Sequence, residues 1–397
     1  VPQPRFVNEP PAASGFKRDA ATVACYALLA VLTVHLAMIG PLMPSLMADL
    51  GIDFTTASFH SVALAIGMAV TGGVGERVPH HVGRDGAIRL GLASFSGGLI
   101  LICLAPHLVV SLPGAFLVGC GSCLVLMAAP AMLVERHGAQ VAHAFGEANV
   151  IAYLGILAAP AIVSLAILAG SWRLAFIAPA VICLFYVAAF RGVRFGSPTG
   201  PGTVRSKANL GFAYWCFWGL LFTSVSAENI IVIWSASYYE KQLGLERDAA
   251  LWASMAYPLG MLLSRIAGIW LVRRFHAGQM TLPSLTIALL GALLFSWGGA
   301  PWLAMAGLFI TALGMGCLYP FGITLAMASV SGNIDTATAR ISLASAFSMI
   351  TAPFLVGALA DRFDLAAAFL SVPVYLLCAI AVTALGLSRP KATASRS

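Results

Sequence analysis

LGIDFTTASFHSVALAIGM, residues 50–68, and LGLERDAALWASMAYPLGM, residues 243–261, lie 193 positions apart and agree at seven places. Leu50, Gly51, Ala57, Ser61, Ala63, Gly67 and Met68 fall on Leu243, Gly244, Ala250, Ser254, Ala256, Gly260 and Met261. The same shift carries Ala159 and Pro160 onto Ala352 and Pro353, and Ala175 and Phe176 onto Ala368 and Phe369. One offset that holds across several segments marks an internal duplication.

The duplicated unit is built for a bilayer. Of 397 residues, 60% are hydrophobic and 9% charged, more apolar side chain than a water-soluble core can bury. At roughly 20 apolar residues per membrane crossing, the chain divides into twelve spans. Six lie at 20–46, 55–76, 86–106, 110–134, 142–168 and 171–190, and six at 208–238, 247–273, 280–299, 301–329, 338–360 and 365–387. The expected fold is an all-α membrane protein of twelve transmembrane helices in two pseudo-symmetric six-helix bundles, 20–190 and 208–387. A Gly-, Pro- and Ser-rich linker, 191–207, joins them, and polar tails at 1–19 and 388–397 complete the chain.

Charge sets the orientation. Of the 22 Lys and Arg residues, Arg173, Lys241, Arg247 and Arg362 fall on one side and Arg265 inside a span; the other seventeen share the side of both termini. That side is expected to be cytoplasmic, in a bacterial inner (plasma) membrane. The net charge of +7 is thus a topology signal and gives no reason to expect nucleic acid. The eight cysteines all fall inside apolar segments and follow neither a zinc nor a disulfide pattern.

Three motifs resemble those of the major facilitator superfamily, and the likeness runs along the whole chain. GPLMP, Gly40 to Pro44, followed by Gly51, resembles the first-helix motif of the family's drug:proton antiporters. GGVGERVPHHVGR, Gly72 to Arg84, is similar to the signature loop between helices two and three, with Glu76 where Asp is usual and four extra residues before Gly83 and Arg84. SWRLAF, Ser171 to Phe176, resembles the link between helices five and six. The antiporter motif of helix five is partial: Gly146, Gly155 and Pro160 fit, whereas Ala159, Val163 and Ser164 replace glycines. GALADRF, Gly357 to Phe363, imitates the signature loop at the opposite membrane face, where the likeness is read as fortuitous.

An unpaired polar group in hydrocarbon costs several kcal/mol, so ionisable residues inside spans single themselves out. TSVSAENIIVIWS, residues 223–235, places Glu228 and Asn229 in the middle of the seventh span. The repeat offset maps Glu228 onto His35 of the first span. The resemblance implies that helices one, four, seven and ten line a central cavity, with these two residues on its opposite walls. Glu228 is the expected proton carrier and His35 its partner or a solute ligand. Asn229, Trp234, Trp218 and Tyr319 are further cavity candidates.

The resemblance also implies a cytoplasmic gate where helix two meets eleven and helix five meets eight. Glu147–Arg265 and Glu76–Arg340 are expected to pair there when the outer side is open, with Arg77 and Arg84 beside them. No metal cluster, nucleotide loop or catalytic triad is discernible, so neither an enzyme nor a cofactor is expected beyond the proton as coupling ion. The expected function is a secondary transporter of a small organic solute, acting as a monomer by alternating access, proton-coupled, with export by antiport ahead of uptake by symport. An uncoupled facilitator and a non-transporting sensor are the alternatives.

Overall fold

The computed structural model describes residues 18–74, 77–137, 141–189, 209–331 and 334–388. The linker 191–207 and most of both tails lie outside these residues.

The first half consists of α1 (Ala20–Leu50), α2 (Phe54–Val74), α3 (Arg77–Leu104), α4 (Leu108–His137), α5 (Val141–Leu168) and α6 (Leu174–Ala189). The second comprises α7 (Phe212–Lys241), α8 (Arg247–Ser254), α9 (Ala256–Leu271), α10 (Ala277–Trp297), α11 (Pro301–Met315), α12 (Leu318–Ala328), α13 (Ile334–Arg362), α14 (Leu365–Phe369) and α15 (Ser371–Leu387). Ten segments among the described residues are long and apolar enough to cross a membrane. The two other expected spans are shorter: α6 is a single apolar helix, and the eighth span is split into α8 and α9. A two-residue antiparallel ladder, Asn209–Leu210 (β1) against Val330–Ser331 (β2), clips the start of α7 to the end of α12.

The eighth, tenth and twelfth spans are each interrupted, and each break precedes a proline. Pro258, Pro320 and Pro373 lack the N–H that would bond the carbonyls of Ser254, Gly316 and Phe369, and the helices part there. Pro41, Pro44, Pro130, Pro160 and Pro353 lie within unbroken helices. In α3 the break is at Gly83, whose φ of 73° and ψ of 167° suit a residue without Cβ.

Each half has its own apolar core. Met43, Leu46, Met47, Ala57 and Tyr153 of the first half are packed into the core of the second. Outward-facing apolar side chains are common: Leu104, Leu168, Phe185, Trp297 and Trp302 are exposed, as lipid-facing positions of a membrane protein are. The chain is an integral membrane protein.

At the face opposite the termini the halves are locked together. The Asp361 carboxylate at the end of α13 accepts hydrogen bonds from the N–H groups of Phe54 (3.0 Å) and Thr55 (2.6 Å) and from the Thr55 hydroxyl. Phe59 stacks on Phe354 at 5.7 Å, and Phe54 meets Trp234 edge-on at 5.4 Å. Within GALADRF, the aspartate thus caps a helix of the other half. Further in, α1 crosses α7 at Gly40, where any Cβ would run into the Val232 carbonyl.

Candidate functional site: a cavity between the halves

A cavity of about 240 Å³ lies where α1 and α5 of the first half face α7, α8 and α9 of the second. α1 contributes Thr33, Leu36, Ala37 and Pro41, a stripe at helical spacing. Tyr153, Ile156 and Pro160 come from α5, and Glu228, Asn229, Val232 and Ser235 from α7. The break before Pro258 supplies Ser254, Met255, Tyr257 and Pro258, with Met261 a turn further on. Irregular backbone at membrane depth is tolerated where it borders such a cavity.

Among the described residues Glu228 is the only carboxylic acid lining the cavity, and no described side chain hydrogen-bonds to it. Asn229 is held in place, its Nδ2 donating to Ser348 Oγ at 3.3 Å, and Ser226 donates to the same hydroxyl at 3.1 Å. The guanidinium of Arg265 lies over the Tyr153 ring, 4.7 Å from its centroid, and its charge acts on Glu228, Tyr153 and Tyr257. An acid and two phenols from both halves thus line one apolar chamber, and Arg265 packs against the ring of one of those phenols, Tyr153.

Two of the six expected cavity residues, Glu228 and Asn229, are in it. His35 is not. It is 1% exposed, packs edge-on against Phe95 and borders a separate cavity of about 40 Å³ inside the first half, together with His60 and Ser61. The reason is helical phase: two residues from Thr33 is roughly 200° of rotation, so His35 points away from the stripe that faces Glu228. Trp234 is wholly buried beside Phe54. Trp218 donates its Nε1 to the Arg340 carbonyl at 2.8 Å, and Tyr319 is 37% exposed; neither lines the cavity.

Of the two expected gate pairs, Glu147–Arg265 is not formed among the described residues, and Glu76–Arg340 falls partly outside them. Glu147 is engaged within its own half, accepting from Arg18 Nε at 2.9 Å and from the Tyr26 hydroxyl at 3.2 Å. The Arg340 guanidinium sits 5.6 Å from the Trp215 ring centroid. Glu76 and the side chain of Arg77 lie outside the described residues. Arg84 is almost buried and forms a two-pronged pair with Glu135 at 2.6 and 2.8 Å, joining the signature loop to α4. A groove of about 850 Å³ lies between Ile269 of α9 and Tyr26, Glu147 and Val150 of α1 and α5. The groove lies at the end that bears the termini, whereas the Asp361 cap and the Phe59–Phe354 stack hold the halves together at the other.

Tyr153, Tyr257, Thr33 and Ser254 were not foreseen as cavity residues, and neither was Asp361 as an interdomain cap. A signal existed for the middle of this set. Pro258 frees the Ser254 carbonyl, and Tyr257 and Met261 share one helical face with Arg265.

Two bundles related by duplication, with a mainly apolar chamber holding one acid at their interface, define the secondary-transporter class of membrane protein. The sequence profile of the Major Facilitator Superfamily matches residues 25–301 and 216–397, and the chain belongs to that family. Among solved structures, one similar fold is a bacterial homolog of the human lysosomal transporter Spinster, in an inward-facing and occupied conformation. It has a TM-score of 0.76 and 14% identity, over 94% of this chain and 98% of that one. The D-xylose-proton symporter follows with a TM-score of 0.72 and 15% identity, covering 94% of this chain and 98% of that one. The peptide transporter POT gives a TM-score of 0.74 and 15% identity over 95% and 96%. Identities this low speak for the fold alone.

Proposed function

We propose that the chain carries a small organic solute across the membrane by alternating access, driven by the proton gradient, with Glu228 as the group that takes up and releases the proton. The observation that carries this reading is the carboxyl of Glu228 itself. It stands in an apolar chamber at the interface of the halves, without a hydrogen-bonding side chain. A carboxylate so placed exchanges its proton according to which side of the membrane supplies water to it. With the termini on the cytoplasmic side, the closed face is the outer one and the described state faces inward. The absence of the Glu147–Arg265 pair accords with that state, since a cytoplasmic gate would close only when the outer face opens.

The test is transport by purified protein in proteoliposomes. Glu228→Gln is expected to keep solute exchange at equal pH on both sides and to lose accumulation driven by an imposed pH gradient. Undiminished gradient-driven accumulation in the variant overturns the assignment. Solute exchange by both proteins, with gradient-driven accumulation by neither, identifies an uncoupled facilitator.

A further inference from the structure

Arg265 stands one helical turn beyond Met261 and two beyond Tyr257, on the face of α9 that borders the cavity. It is partly buried, its Nε has no hydrogen-bond acceptor, and no described carboxylate comes within the 4.0 Å of an ion pair. Tyr153, which lines the cavity from the other half, covers one side of the guanidinium. A cation partly enclosed in this way, with no described carboxylate in contact, attracts an anion to the chamber beside it.

We infer that Arg265 is the anion-recognising group of the transport cavity, and that the solute is a small organic monocarboxylate which loads together with a proton on Glu228. The inference rests on the proton site proposed above. With Glu228 ionised, the chamber has one negative charge on its wall and the positive charge of Arg265 beside it, and an incoming carboxylate meets repulsion. With Glu228 protonated, no described side chain lining the chamber carries a full charge, Arg265 against the lining Tyr153 is left uncompensated, and a monovalent anion neutralises it. A cationic solute fares worse in both states, because it must approach Arg265 in a medium of low dielectric. Binding of the proton and of the anion therefore favour each other, reciprocally, and the two travel in the same direction. Symport replaces the antiport expected from the partial antiporter motifs.

The other groups around the pair do not alter the balance. α5 presents Tyr153, α9 Tyr257, and Cys317 lies close to Arg265; α13 presents Ser348 through Asn229, and α15 Tyr375 beside Ser226. α1 presents only Thr33, Leu36, Ala37 and Pro41. The chamber's volume and its Leu36, Ile156, Val232 and Met261 walls suit a short-chain or single-ring acid.

The experiment is equilibrium binding to the purified full-length protein, at acid and neutral pH, of a radiolabelled panel: aliphatic and aromatic monocarboxylates, their amides and the corresponding amines. Carboxylates are expected to bind, tightening by up to about tenfold per pH unit on acidification, while amides and amines do not. Arg265→Met is expected to weaken carboxylate binding by about 30-fold or more, with Arg265→Lys retaining part of it. Glu228→Gln is expected to bind at neutral pH as the wild type does at acid pH. Preference for the amines or amides, binding of no carboxylate in the panel, or undiminished binding by a folded Arg265→Met overturns the inference. Ligand class is read on the wild type alone, so an unfolded variant does not leave it open. If Arg265→Met loses the carboxylate but Glu228→Gln and wild type respond to pH alike, the anion class stands. Co-loading on Glu228, and the proton site proposed for it, are then overturned.

Discussion

His35 has an imidazole Nδ1 with no hydrogen-bond partner among the described residues, beside a cavity large enough for water and too small for an organic solute. An orphaned polar atom among Phe95, Phe176 and Leu42 weakens the fold it sits in. Replacing it by leucine is expected to leave gradient-driven transport intact and to stabilise the protein by about 1 kcal/mol, read from thermal unfolding of the purified protein. Loss of transport would return His35 to the mechanism. Glu228 was legible because an acid inside an apolar run needs a reason, and the cavity supplies one. His35 was misplaced because repeat equivalence fixes depth along a helix but not which neighbour its face meets. Residues related by a pseudo-twofold confront each other only when both point at the axis. Arg265 was recognised as an intramembrane charge; its place over Tyr153 depends on how two helices from different halves dock, which one-dimensional pattern does not contain.

The start of α2 shows how an element can belong to both halves. Its first amides are each engaged: Thr56 N–H donates to the Asp53 side chain at 2.8 Å, Ala57 N–H to the Asp53 carbonyl at 2.9 Å, and Phe54 and Thr55 to Asp361 across the interface. Two carboxylates at a helix N-terminus also answer its positive dipole end. Asp361→Asn keeps the shape but removes the charge. It is expected to raise the population open at the outer face roughly fivefold, corresponding to about 1 kcal/mol, seen as longer spin-label distances between the start of α2 and the end of α13. An unchanged distance distribution would show that the aromatic contacts alone hold the closure. Asp53 responds to acid in a defined direction. Its hydrogen bonds from Thr56 hold its carboxyl below the ordinary value of 3.8. Its share of the cap is therefore present above that value and is lost only as the pH falls through the lowered folded one. Thermal unfolding of wild type is accordingly expected to lose more stability than Asp53→Asn on acidification through this range. The spans themselves were readable from hydropathy, and their breaks from proline. The cross-half cap was not, because Asp361 has the same local sequence whether it faces water or a neighbouring helix.

For the whole molecule, the two halves cross closely where Gly40 of α1 passes Val232 of α7, at the edge of the cavity. Gly40→Ala would force the two helices apart at that crossing. The cost is expected at about 1–3 kcal/mol, measured by thermal unfolding, with slower transport by any molecules that still fold. Normal stability and rate would show that the crossing is not tight in the working protein. Glu228 lies one turn from this contact, roughly 6 Å along the axis. The contact also divides α7 unequally: roughly 30 Å of helix extends from Val232 to the terminal end at Phe212, but only about 14 Å to Lys241. A rotation about that fulcrum therefore works on arms of different length. A tilt that withdraws Asp361 from α2 by one hydrogen-bond length swings the opposite mouth through about twice the distance. The bound solute, close to the fulcrum, hardly moves at all.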